Sequence, residues 1–103
     1  MSIPRIIYID SHKWQIKQGD QDTMKLFAIE AEIDFKYKEN IYGFCSIKER
    51  IIIVDKDIKE SDKLSTILHE IIHVIAENLS EKQVVILERG LFTVLRRNKN
   101  LKF

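Results

Sequence analysis

Residues 69–73 read His69-Glu70-Ile71-Ile72-His73. On a helix, side chains four apart stack on one face, so both imidazoles can reach one cation, and zinc-to-nitrogen distances of about 2.0–2.1 Å require that convergence. Glu70 follows the first His directly and precedes the second by three, which lets its carboxylate flank a metal without binding it. That position suits a general base. Zinc lowers the pKa of a bound water to about 7, and a carboxylate in hydrogen-bond reach can take the proton as the water attacks a polarised carbonyl. The bland alternative is a solvated helix face that happens to carry these residues. The chain has three His in all, and two of them at this spacing around a Glu match chance poorly.

Catalytic zinc sites use three protein ligands plus water, so two His leave one position to fill. His12 lies far upstream beside Trp14 and reads as a surface or packing residue, and Cys45, next to Phe44, reads as a small buried hydrophobe. The carboxylates after the motif are the candidates: Glu77, Glu81 and Glu88. Glu77 points beyond the metal along the helix axis. Glu81 and Glu88 share an edge of the next helix; a tight antiparallel hairpin favours Glu88, and a wider crossing favours Glu81. Each has an ordinary explanation as well, a helix-start acid for Glu81 and a boundary ion pair for Glu88.

The elements that must position these groups follow from periodicity. A helix from about Ser61 to Glu77, capped by Ser61 or Asp62, carries Leu64, Ile67, Leu68, Ile71, Ile72 and Ile75 at three- and four-residue spacing. At roughly 100° per residue the motif falls almost opposite that stripe, so the helix is expected to face a core and a cleft at once. After a turn at Asn78-Leu79, Ser80-Glu81-Lys82-Gln83 has the form of a capping box. It opens a second, antiparallel helix with the stripe Val84, Leu87, Leu91, Val94 and Leu95. Upstream, residues 41–47 and 50–54 form a β-hairpin signal split by Lys48-Glu49. Ile3–Ile9 and Trp14–Lys17 read as strands, and residues 18–22 as a turn. Residues 23–37 fit either a helix or a strand, with strand favoured from Ile29 onward.

Composition bounds the rest. With 103 residues, 45% hydrophobic, and low Gly and Pro, the chain is expected to be one domain spanning residues 1–103 with one modest core. A net charge of +1 carries no global basic footprint, which argues against nucleic acid as a partner. The cluster Arg89, Arg96, Arg97, Lys99 and Lys102 reads as a solvated helix end. The apolar run Ile6–Ile9 is too short for a signal peptide or a membrane span, and a lone Cys45 suits a reducing compartment. A cytoplasmic protein without a membrane partner is the expectation.

Tyr42-Gly43-Phe44-Cys45 through Ile51-Ile52-Ile53, Thr66 to Ile75, Leu79-Ser80-Glu81, and Gly90 to Arg96 with Asn98 together resemble the small phage and prophage zinc metallopeptidases, similar to the ImmA/IrrE type. The resemblance covers about residues 41–98. It implies an α+β, zincin-like fold with a small antiparallel sheet packed against the motif helix and a C-terminal helix. It also implies Zn2+ held by His69, His73 and Glu81, because an acidic residue recurs where Glu81 stands. Two departures keep Glu88 open as the ligand: the loop from Val74 to Ser80 is short, and Glu88 replaces a small residue. The expected activity is peptide hydrolysis with Glu70 as general base, on a protein or peptide substrate such as a repressor-like protein. The strand Arg50–Val54 is expected to border the cleft and hold an extended peptide along an exposed edge. The rival reading is a zinc-binding accessory protein of the same fold with little or no hydrolysis.

Overall fold

A computed structural model describes residues 3–30 and 42–101 of the chain. Strands β1 (Ile6–Ile9) and β2 (His12–Gly19) form an antiparallel hairpin closed at Asp10, which takes a left-handed φ of 56°. A short polar side chain tolerates that conformation better than most. Trp14 and Ile16 are buried while Gln15 and Lys17 are exposed, the alternation of a half-buried strand.

Helix α1 (Gln21–Glu30) follows at once. Asp20 caps it by accepting a hydrogen bond from the Thr23 amide at 2.8 Å, and that bond holds the Asp20 carboxyl below its ordinary pKa. The cap decides the ambiguous segment toward helix as far as Glu30, so Ile29 is helical rather than the start of a strand. The remainder of that expected strand, residues 31–37, lies outside the described residues.

Strands β3 (Gly43–Ser46) and β4 (Ile51–Asp55) make the expected hairpin. The sheet they join is mixed, not antiparallel: its order is β1-β2-β4-β3, with β2 and β4 parallel. A parallel pair needs a crossover, and α1 lies within that connection. The apolar run Ile51-Ile52-Ile53-Val54 shows why β4 takes the interior position, because its residues feed both faces. Ile52 and Val54 pack with Trp14, Ile16 and Ile67; Ile53 packs with Met24 of α1 and Phe44. Residues 51–55 therefore do not offer a free edge. Among the described residues the edges are β1 and β3.

Helix α2 (Glu60–Ile75) lies on the Ile52–Val54 face. It begins at Lys59, which supplies no side-chain cap; Ser61 and Asp62 fall inside the first turn, where Glu60 and Asp62 favour the helix dipole. It ends at Ala76, so Glu77 stands beyond the helix. The apolar stripe is only partly confirmed. Ile67 and Ile72 are buried, but Ile75 is 66% exposed and Glu70 is buried at 8%. The motif side does not face open solvent, because β3 closes on it from one side and helix α3 (Glu81–Arg97) packs along the other. Glu81 meets His73 whereas Glu88 meets Ser65, so α2 and α3 run antiparallel. Only Val84 of the expected α3 stripe is buried; Leu87, Leu91, Val94 and Leu95 remain exposed among the described residues. No helix among the described residues is long and apolar enough to cross a membrane.

Candidate metal centre

The capping box at the start of α3 forms as its sequence implies. Ser80 Oγ accepts from the Gln83 amide at 3.2 Å, and Gln83 Oε1 accepts from the Ser80 amide at 2.9 Å. This fixes Glu81 as the first helical residue, opposite the end of α2 that carries His73. The short connection from Ala76 to Ser80, closed by the Leu79 amide on the Ala76 carbonyl at 3.2 Å, makes that meeting possible.

His69 Nε2 and His73 Nε2 are 3.2 Å apart, their rings edge to face. Glu81 spans both: Oε1 lies 2.8 Å from His69 Nε2, and Oε2 lies 2.8 Å from His73 Nε2. One ligand atom from each of the three residues falls within 4.8 Å of the others. Glu88 is on the opposite side of the His69 ring, with Oε1 2.8 Å from Nδ1, and Ser65 Oγ donates to its second oxygen.

The group fits a metal by spacing and by charge. Two nitrogens bound at about 2.0–2.1 Å in a tetrahedral site stand roughly 3.3 Å apart, close to the separation here, and two imidazoles with one carboxylate match the donor set of zinc. The charges also require a cation or an added proton. A neutral imidazole has a single N–H, yet His69 has a carboxylate oxygen at each nitrogen. Both contacts are favourable only with an added proton or a cation on one side. The residues present fit a divalent ion.

Glu70 is buried beside the group, and its Oε2 has no hydrogen-bond partner among the described residues. Burial pushes its carboxyl pKa up; His69 and then His73 pull it back, and Glu81 pushes it further up. Gly43 permits the close approach of β3 to α2 here. It stands at the β3 end nearest α2, where a Cβ would lie 2.2 Å from Thr66 Cγ2 and 3.5 Å from Glu70 Cγ. Together Tyr42, Gly43, Thr66, His69, Glu70, His73, Glu81 and Glu88 line a cleft of about 440 Å³. It adjoins a second concavity of about 560 Å³ through Tyr42, Thr66 and Glu88. A larger groove of about 980 Å³ along β1 and β2 contains none of the motif.

The structure thus brings His69, Glu70, His73 and Glu81 together, with Glu88 behind the His69 ring. Glu77 is exposed in the connection and lines a separate hollow with Ile75 and Leu79. His12 is exposed near the end of the sheet where Gln15 pairs with Ile51, away from Gly43, which pairs with Val54. Cys45 is half-buried against the α2-side core, and burial foremost, then Glu70, pushes its thiol up to about 12. Arg89, Arg96, Arg97 and Lys99 are exposed, with Arg96 over the Phe92 ring at 5.8 Å; Lys102 lies outside the described residues. Ser65, Thr66 and Gly43 carry no chemistry-bearing motif of their own, and Thr66 and Gly43 enter only through the resemblance. For Gly43 a signal existed, because an isolated glycine within a strand often marks a close backbone approach. Comparison of the chain with protein-family profiles, curated proteins and solved structures finds no match.

Proposed function

We propose that the chain is a zinc-dependent peptidase of zincin-like build, in which His69, His73 and Glu81 hold the ion and Glu70 is the general base. The observation that carries this reading is the convergence of His69 Nε2, His73 Nε2 and the Glu81 carboxylate in one cleft with a buried Glu70 oxygen that has no partner among the described residues. When bound, zinc supplies a Lewis acid that polarises a peptide carbonyl and acidifies water. Glu70 takes the proton of the attacking water at a carboxylate oxygen and returns it to the amide nitrogen as the carbon–nitrogen bond breaks. Its burial favours proton uptake, which suits the first of these tasks.

Strand β3 replaces β4 as the element suited to a substrate. It is an edge among the described residues, and Gly43 brings its end into the cleft. An extended protein or peptide segment, such as a repressor-like protein, paired along that edge would cross in front of the His pair. A cytoplasmic setting agrees with a free Cys45.

A second reading has one observation in its favour. Glu70 is only 8% exposed, so a reacting water in the cleft has little access to its carboxylate. A zinc-binding accessory protein with little hydrolysis would tolerate that burial. Metal analysis of the purified chain together with zinc-dependent cleavage of a peptide library, using Glu70→Gln as control, separates the two. Bound zinc with no chelator-sensitive cleavage selects the accessory protein, and no metal uptake by the wild type removes both.

A further inference from the structure

We propose that Glu88, braced by Ser65, is a positioning residue that holds His69 as its Nδ1–H tautomer and so turns the Nε2 lone pair toward the ion. This rests on the proposed zinc site and concerns a residue outside its ligand set. Both nitrogens of His69 face carboxylate oxygens at 2.8 Å, and a single ring proton must choose between them. The two carboxylates differ in setting. The Glu88 side chain is 18% exposed and the Glu81 side chain 67%, against 17% for His69.

Water can solvate Glu81 without the imidazole's help, whereas Glu88 must find its donors within the protein. Its Oε2 receives the Ser65 hydroxyl, and its Oε1 is left for His69 Nδ1–H. Ser65 and His69 are one helical turn apart on α2, so one carboxylate from α3 spans both and fixes the plane of the ring. With the proton on Nδ1, Nε2 is a lone pair aimed at His73 Nε2 and Glu81, where a cation relieves the repulsion. Among the described residues His73 has no such brace: its contacts are made by Nε2.

The test uses the full chain as wild type, Glu88→Gln, Glu88→Ala and Ser65→Ala. Zinc affinity is measured by competition with a chromophoric chelator, and the ring nitrogens of the zinc-loaded protein by 15N-histidine NMR. Glu88→Ala should bind zinc about 10–100-fold more weakly, the usual cost of losing such a partner. Glu88→Gln, whose amide oxygen still accepts from Nδ1–H, should stay within several-fold of wild type. The Nδ1 proton of His69 should be protected from exchange in wild type and lose that protection in Glu88→Ala, with His73 unchanged.

A Glu88→Ala chain that is folded and binds zinc as wild type does overturns the proposal and leaves Glu88 as a tie between helices. Loss of zinc in both Glu88 variants with retention in Glu81→Ala also overturns it, by making Glu88 the ligand. If Glu88→Ala does not fold, the wild-type spectrum decides: a His69 ring protonated on Nε2 and not Nδ1 is incompatible with the assignment. Wild type that takes up no zinc removes the proposed function as well, whereas the other outcomes leave a zinc-dependent function standing, the Glu88-ligand outcome with Glu88 in place of Glu81.

Discussion

Gly43 of β3 and Thr66 of α2 approach so closely that a Cβ on the glycine would meet the threonine methyl at 2.2 Å. The contact presses the edge strand against the motif helix one turn before Glu70. Gly43→Ala should destabilise the chain by about 1–3 kcal/mol through overpacking. Thr66→Ser, which deletes the clashing methyl, should recover most of that loss in the double variant. Thermal melts of the four proteins check this; a Gly43→Ala chain as stable as wild type would show that β3 does not need the close approach.

Glu81 and Glu88 make different demands on the ion. Glu81→Ala opens a coordination position, so it should weaken zinc binding more than Glu88→Ala does. The reverse order in a chelator competition would assign Glu88 to the ligand set.

Ser80 acts on the site through the start of α3. Ser80→Ala removes one half of the capping box and should cost about 0.5–2 kcal/mol of stability. Because Glu81 is the next residue, zinc affinity should fall too. Unchanged affinity alongside the expected loss in melting temperature would mean that Glu81 is positioned by its contacts with the His pair alone.

If Glu70 is the base, Glu70→Gln should keep its zinc while chelator-sensitive turnover falls by roughly 10²- to 10⁴-fold. Equal cleavage rates for the two proteins would sink that mechanism.

The same substitution has a second consequence in the metal-free chain. Burial raises the Glu70 carboxyl in the folded state, so that state binds the proton more tightly than the unfolded one. Stability then falls as pH climbs from the ordinary carboxylate range through the raised value. Glu70→Gln has no such proton to lose. Its stability relative to wild type should therefore grow as pH rises above the ordinary carboxylate range, in chelator, by denaturant titration. Parallel pH profiles would rule out the buried charge as the cause.

Much of this molecule was legible from residues near one another in the chain. The spacing of His69, Glu70 and His73, the Ser80–Gln83 capping box and the β3–β4 hairpin each depend on a few neighbours and on helix or strand periodicity, and each reads directly from the sequence. Tertiary structure alone decided the rest, because it depends on which distant surfaces meet. The run from Ile51 to Val54 reads as a strand without naming its partners; pairing with β2 made it interior and parallel. Glu70 sits on the expected helix, yet it is buried where Gly43, more than twenty residues upstream, comes against the same helix. Glu81 and Glu88 share an edge of α3 and could not be ranked by spacing. The packing of α3 on α2 puts one on each side of the His69 ring, since a helix crossing is set by side chains that touch across the interface rather than by their positions along either helix.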